Sequence, residues 1–533
     1  MVEAVAVNQP TREDLLAVYR AGPAPMLALV AGLLDRIAVL ERANAALEAA
    51  LEAAQVAFTT RVKALEDRLA LDSHNSSKPP SSDLGRPKPA PRSLRPAPGA
   101  TGRAPGGQPG HPGTTLRMVD TPDRRVVHRP AQCGACGQPM DAGRRDGRPS
   151  GVAVRERLDD ERRQVVDLPP LALEVTEHRV AHVACPACGV ETAGTFPVGV
   201  TQPVQYGDRV KAVAVYLHAY QLLPYGRATE LLDDLFGAGS AVPCPRTVEA
   251  AETAASATLA PVDATLTAAL RQVAVAGFDE TSLRVGGARQ WLHVASTPTL
   301  THYAVHPKRG TDATDAIGIL PGFTGTGVHD AWAPYLTYTE CAHALCNAHL
   351  LRELVFLHEQ DHQAWADELA TLLVTAKDLV DTARAAGETH LDEVTLATLD
   401  AHYEHLLDQG RVANPPLKAP SAPLAPPDAP PKRGRPKRSK AQNLLLRLTT
   451  HRQAVWAFVH DFRVPFDNNQ AERDIRMLKV QQKISGGFRC PEGAHRFARL
   501  RGYISTLRKQ RLPVLAALQS VFAGSPLMPT LAS

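Results

Sequence analysis

Three acidic residues, far apart in the chain, are of a type and setting that could hold divalent cations against a polyanion. Asp279 stands in Val273-Ala-Val-Ala-Gly-Phe-Asp-Glu-Thr281, Asp330 in Gly325-Thr-Gly-Val-His-Asp-Ala-Trp332, and Glu472 in Phe466-Asp-Asn-Asn-Gln-Ala-Glu-Arg-Asp-Ile-Arg476. Carboxylates supply the hard oxygen ligands preferred by Mg²⁺, or by Mn²⁺ in its place. Two such ions roughly 4 Å apart can activate a water or a 3′ hydroxyl and stabilise the leaving oxygen of a phosphodiester. In that chemistry Asp279 would bridge the two magnesium ions, Asp330 would bind one and Glu472 the other. The segment carrying Glu472 reads as a helix that also bears Arg473, Arg476, Lys479 and Lys483, cations suited to holding DNA phosphates nearby. Three acids compete with these. Glu280 alternates off the face of Asp279, Asp467 with Asn468 and Asn469 suits a helix cap, and Asp474 lies about 200° around the helix from Glu472.

The acids need elements that carry them to a common edge. Short apolar stretches run over Gln272 to Phe278, Thr281 to Val285, Trp291 to Ser296 and Tyr303 to Val305, with Gly286-Gly287 and Thr297-Pro298 as turns; this is the pattern of an antiparallel meander. A helix is expected near Asp312 to Leu320, then a strand ending at Asp330, then a strand near Ala344 to Cys346 leading into a helix from Asn347. If the first two stretches are one strand bent at the acid, the order is three paired strands, helix, strand, helix. That is the order of an α/β ribonuclease H-like core, in which the first and fourth strands are neighbours, so Asp279 and Asp330 are expected close together. Between Asp330 and Glu472 the chain inserts a helical stretch from about Trp365 to Leu407, a Pro-rich loop and the basic run Pro431 to Lys440. Arg433, Arg435 and Lys437 there surround a Gly-Arg-Pro step shaped like an AT-hook for the minor groove of A·T-rich DNA; a flexible linker touching only phosphates fits equally. Helix resumes from Ser439 to His460, with Trp456 and Phe458 serving the core.

Cys133-Gly-Ala-Cys136 and Cys185-Pro-Ala-Cys188 are each followed by glycine. Four thiolates can close a tetrahedral structural Zn²⁺ site, and the alternation over Leu173 to Val180 suggests strands between the two pairs. Near the N-terminus Leu33, Ile37, Leu40, Asn44, Leu47, Leu51, Ala54 and Phe58 follow the three-and-four spacing of a coiled-coil seam. Asn44 falls at an a-type position, where a partnered amide favours a two-stranded register, so a homodimer or higher oligomer is expected. Tyr206 to Leu259 reads as short helices with the outline of a helix-turn-helix, which packing alone also explains.

A chain of 533 residues exceeds one core and implies a multidomain protein. The expected organisation is a coiled-coil helical region at 1–72, a disordered basic linker rich in Pro and Gly at 73–125, a small four-cysteine zinc-binding domain at 126–198 and a helical domain at 199–265 suited to DNA contact. A ribonuclease H-like catalytic domain at 266–488 follows, with a helical and basic insertion at about 360–460, and a helical segment at 489–533 ends the chain. The net charge of +4 conceals local basic patches. No membrane span is expected, because Asp35 and Arg36 interrupt the longest apolar run. Paired Cys-x-x-Cys motifs among eight cysteines suit a reducing compartment, the cytoplasm, with association to the nucleoid when DNA is bound.

Taken together, these residues make the chain resemble a DDE-type transposase of the insertion sequence sixty-six family. The resemblance rests on the leucine-rich helix before Ser73-His-Asn-Ser-Ser-Lys-Pro-Pro-Ser81, on Gly106-Gly-Gln-Pro-Gly-His111, on the paired Cys-x-x-Cys, and on Phe278-Asp-Glu-Thr281, His329-Asp-Ala-Trp332, Cys346-Asn-Ala-His349 and Asn468-Asn-Gln-Ala-Glu-Arg473. It implies a ribonuclease H-like core acting with Mg²⁺ on element ends and target DNA, with the catalytic roles at Asp279, Asp330 and Glu472. It also suggests small accessory proteins of the same element. One departure concerns His349: the commoner family version continues with a basic tract, whereas here Leu350-Leu-Arg-Glu-Leu354 is mainly apolar. His349 could orient a metal-bound water or a phosphate, or could be a hydrogen-bonded helix-start residue. Two alternatives share parts of this reading. One is a zinc-dependent DNA-binding regulator, such as a catalytically decayed transposase; the other is a ribonuclease H-like nuclease that only hydrolyses.

Overall fold

The computed structural model describes residues 11–72, 74–76, 116–128, 131–137, 162–169, 171–236, 242–415 and 438–531. The chain divides into two compact units, a helical unit of Met1–Leu94 and Gly325–Asn469 and a meander unit of Arg95–Thr324 and Gln470–Ser533. The helical unit opens with α1 (Arg12–Arg20) and α2 (Pro23–Ala70). The meander unit then contributes β1 (His182–Ala184), β2 (Glu191–Ala193), α3 (Asp208–Val215), α4 (Tyr225–Phe236), α5 (Pro245–Thr258), α6 (Ala260–Leu270), β3 (Val275–Val285), β4 (Ala288–Ser296), β5 (Thr301–His306) and α7 (Thr311–Ile317). The helical unit resumes with β6 (Thr326–His329), β7 (Ala342–Leu345), α8 (Asn347–Asp361), α9 (Ala364–Ala385), α10 (Glu393–Ala413), α11 (Lys440–Thr450) and α12 (Arg452–His460). Then α13 (Asn469–Ser485) begins at the boundary and, with α14 (Pro491–Lys509) and α15 (Val514–Phe522), completes the meander unit.

In the meander unit, β3, β4 and β5 form consecutive antiparallel pairs, with Asp279 opposite Val294 and Val294 opposite Tyr303. The two stretches expected on either side of Asp279 are one continuous strand. Gly286 and Gly287 turn the first hairpin with φ of 56° and 80°, the left-handed conformation that a tight turn of primed type requires. Thr297 builds the second turn: its Oγ1 accepts from the amides of Thr299 and Leu300 at 3.1 and 2.9 Å. Alternate residues Leu283, Val285, Leu292, Val294, Tyr303 and Val305 form one core with Ala471, Ile475 and Leu478 of α13 and with Phe497 and Ala498 of α14. Each large aliphatic side chain buried this way contributes about 1.5–3 kcal/mol.

α14 seals the exposed edge of β5. The amide of Thr301 donates to Thr506 Oγ1 at 3.0 Å and that hydroxyl donates back to Thr301 O at 3.2 Å, which satisfies edge groups that would otherwise recruit another strand. The approach is close because residue 502 is glycine; a Cβ there would meet Thr301 O at 3.3 Å. At the end of α14, Lys509 Nζ donates to Asp474 Oδ2 at 2.7 Å, Ser296 Oγ at 2.8 Å, Thr297 O at 2.7 Å and Leu300 O at 3.0 Å.

The strands expected over Leu173 to Val180 do not form; the only ladder among the described residues of that region pairs β1 with β2, either side of the second Cys-x-x-Cys. Alternation yields a strand only where a core covers one face, and Val175 is 91% exposed.

In the helical unit β6 and β7 pair in parallel. The helical stretch expected over Trp365 to Leu407 is two helices: α9 ends before Gly387, at φ 86°, and α10 restarts where Asp392 caps it by accepting from the amide of Thr395 at 2.8 Å. Trp456, Phe458 and Tyr403 are fully buried. α2 is tied to this body at its C-terminal end by Lys63 with Asp361 at 2.8 Å and Asp67 with Lys440 at 3.2 Å. None of its residues is buried. One 18-residue window of α2, with at most two charged residues, reaches a mean hydropathy of 1.6. Contrary to the sequence expectation, Asp35 and Arg36 thus do not keep the helix from being long and apolar enough to cross a membrane.

Candidate active site

Within the meander unit, β3 and α13 carry two of the three acids to one layer. Cross-strand partners share a sheet face, and Val294 and Tyr303, which extend the row begun by Asp279, pack under α13. Tyr303 Oη donates to Asp474 O at 2.7 Å, which fixes the first turns of α13 at the level of that row. Glu472 lies in this first turn. Asp279 Oδ1 accepts from the amide of Glu280 at 2.8 Å, which orients the carboxylate.

The competing acids are otherwise engaged. Glu280 turns to the opposite sheet face, where Arg309 reaches it at 2.6 Å. Asp474 is held by Lys509 and Ser296. Asp467 Oδ1 accepts from the amide of Asn469 at 3.0 Å, the geometry of a cap at the start of α13.

In the helical unit, Asp330 follows the carboxyl end of β6, and its Oδ1 accepts from the amide of Trp332 at 3.0 Å. Ligand sites in parallel sheets gather beyond such strand ends. Cys346 leaves β7 at the same end, its amide donating to His329 O at 2.9 Å, and caps α8. The buried Cys346 Sγ accepts from the amide of Asn468 at 3.2 Å, and the amide of Asn347 donates to Phe466 O at 3.1 Å. The loop of Phe466 to Asn468 is thereby pinned to the start of α8, where His349 occupies the first turn.

The sequence had not singled out His329 beside Asp330. Its Nδ1 donates to Asp330 O, its Nε2 lies 2.9 Å from His343 Nδ1, and its ring stacks on Tyr335. Burial lowers its pKa to about 4, so the ring is neutral at pH 7. A histidine within an apolar strand one residue before a candidate ligand was the available signal.

The two Cys-x-x-Cys segments repeat one turn. Gly137 N donates to Cys133 O at 2.9 Å and Gly189 N to Cys185 O at 2.8 Å, with both glycines at positive φ. Amides of Ala135 and Cys136 hold the Cys133 thiol below its ordinary range, and those of Ala187 and Cys188 do the same for Cys185. Amides that favour thiolate are what a zinc knuckle needs, so each pair has the donor chemistry for the metal; among the described residues, however, the sulfurs of the two pairs are not gathered into one ligand cluster.

Of the basic candidates, Arg473, Arg476, Lys479 and Lys483 are exposed on α13. Lys479 keeps an exposed stem, but its Nζ donates to Ser282 O at 2.9 Å and partial desolvation there lowers its pKa, so it anchors the helix to β3. Arg433, Arg435 and Lys437 lie outside the described residues.

Residues 203–496, more than half of the chain, match the family described as Transposase IS66 family. The chain belongs to that family. Residues 33–117 also match a family of unknown function (DUF6444), and no curated protein matches the chain. As an IS66 family transposase it is a DNA-processing enzyme, and its family implies DNA binding and divalent-metal use. The matched span contains all three candidate acids together with Cys346 and His349. It excludes α2 and both Cys-x-x-Cys segments, whose readings rest on this chain's own residues.

Proposed function

We propose that this transposase cuts DNA at the ends of a bacterial insertion sequence and joins them to target DNA, with Asp279, Asp330 and Glu472 as the metal-holding acids of a ribonuclease H-like core. The observation that carries the reading is the common layer of Asp279 and Glu472 on β3 and α13. The position of Asp330 beyond the end of β6, within the same family span, supports it. Two Mg²⁺ or Mn²⁺ ions bound there would generate the attacking oxygen and stabilise the leaving one. In cutting, water adds across a P–O3′ bond to leave a 3′ hydroxyl and a 5′ phosphate. In joining, that hydroxyl displaces the 3′ oxygen of a target phosphodiester. Asp279, held by the Glu280 amide, and Asp330, held by the Trp332 amide, keep fixed ligand directions. Arg473, Arg476 and Lys483 draw the phosphates in.

Around this core, Cys133, Cys136, Cys185 and Cys188 hold a structural Zn²⁺, α2 pairs with a second copy of the chain through the seam containing Asn44, and the protein works in the cytoplasm on the nucleoid. A monomeric mass in solution would remove the pairing, and purified protein free of zinc would remove the metal. For the active site, Asp279→Asn, Asp330→Asn and Glu472→Gln should each abolish Mg²⁺-dependent cleavage of end-containing duplexes while DNA binding persists. Full cleavage by any one variant rejects the role of that acid.

A further inference from the structure

We propose that the tip of the β3–β4 hairpin, on the sheet face turned away from α13, is a second DNA-backbone surface of this transposase; the inference rests on the DNA-processing reading and extends it to residues outside the catalytic layer. Arg284 and Arg289 are direct cross-strand partners. Their neighbours Leu283 and Val285 turn into the core under α13, so both arginines emerge on the other face. Like charges set directly opposite each other weaken a ladder.

A third arginine is brought alongside by a close fit. Phe488 forms a parallel bridge to Val285; its amide donates to Arg284 O, and its carbonyl accepts from the amide of Gly286, both at 2.8 Å. The preceding residue must be glycine, because a Cβ at Gly487 would lie 2.6 Å from Arg284 O. Phe488 packs into the core beneath α13, and the alternation of an extended chain turns Arg489 to the face of Arg284 and Arg289.

All three arginines are exposed. Arg284 Nη1 donates to Gly287 O of its own turn at 2.9 Å, and among the described residues none of the three has a carboxylate partner. The next cation on this face is already balanced: Arg309 stacks over Trp291, 5.0 Å from its ring centroid, and is paired with Glu280. The surplus charge is therefore concentrated at the tip. Three guanidinium groups gathered at a cost to their own ladder fit a polyanion that supplies the missing charge, and a phosphodiester backbone does so without sequence readout.

The test uses the full chain in EDTA, with a fluorescent DNA duplex titrated at several salt concentrations. Combining Arg284→Thr, Arg289→Thr and Arg489→Gln should weaken binding and reduce the slope of log affinity against log salt by about 3, near 0.9 per lost phosphate contact. The melting temperature should hold or rise. Arg284→Lys with Arg489→Lys keeps the charge and should retain the slope, which separates lost charge from misfolding. Unchanged affinity and slope in the triple variant, or equal loss in the lysine variant, overturns this surface alone. A wild-type chain that binds no duplex overturns the DNA reading of the whole protein with it.

Discussion

α14 and the tip of the β3–β4 hairpin are both rich in arginine and use it in opposite ways. On α14, Arg496 reaches Glu249 at 2.9 Å, and Arg499 reaches Asp263 at 3.1 Å and Ser256 O at 3.1 Å. Arg501 donates to Tyr220 O at 2.8 Å while lying over the Tyr220 ring, and Arg508 donates to the hydroxyl of the same tyrosine at 2.9 Å. These cations bind α14 to α5, to α6 and to the segment after α3. At the hairpin tip the same residue type meets no acid among the described residues. The density of basic residues along a sequence therefore does not locate a phosphate surface; the accounting of each cation's partners does. A guanidinium whose donors are already spent on carboxylates and carbonyls has little left to offer a nucleic acid.

The largest effect that would test this contrast is at Lys509. Lys509→Ala leaves Asp474, whose side chain is only 11% exposed, without its counter-charge and should lower stability by about 3 kcal/mol in denaturant titrations. The affinity of the folded fraction for DNA should be unchanged, and a fall there would break the division between structural and DNA-facing cations. Arg499→Ala comes next, at about 1.5–3 kcal/mol for the lost bonds to a charged partner. It carries a pH signature as well. Burial pushes the Asp263 carboxyl up, but His302 and Arg499 outweigh it and hold it below the usual 3.8. A depressed folded value means that this stabilisation is present above that pH and is lost as pH falls through the folded value. The variant, whose Asp263 is less depressed, should therefore lose less stability than the parent when urea midpoints are followed from neutrality downward, so the gap between the two narrows in acid. The smallest effects distinguish two lysines on one helix. Lys479→Ala should cost about 1 kcal/mol through its bond to Ser282 O, and Lys483→Ala should leave stability alone but reduce the salt slope of DNA binding by about 1. The reverse outcome would exchange their roles.

The elements that carry the acids were readable because their signals are local. Gly286-Gly287 dictates a turn whatever surrounds it, and apolar stretches on either side of Asp279 imply a strand there. The three-and-four leucine spacing ahead of Phe58 likewise marks α2. The features that went unread depend on partners distant in the chain. Nothing in the run Ser505-Thr-Leu-Arg-Lys509 announces that Thr506 closes the edge of β5 or that Lys509 meets Asp474. The Asn468 amide on Cys346 Sγ joins residues more than a hundred positions apart. The opposite failure occurred at Leu173 to Val180, where a local alternation had no covering layer to make it a strand. The distinction between Glu472 and Asp474 was partly legible, since helical geometry separates them by about 200°; what occupies Asp474 came only from the fold.

α2 is fixed to its body at Lys63 and Asp67 and continues as one uninterrupted helix back to Pro23. At 1.5 Å per residue its 48 residues make a rod about 72 Å long, comparable with roughly twenty base pairs of duplex at 3.4 Å each. A small tilt at those two ion pairs swings the far end of such a rod through many times the displacement at its base, so the place of Pro23 is governed by the geometry at Lys63 and Asp67.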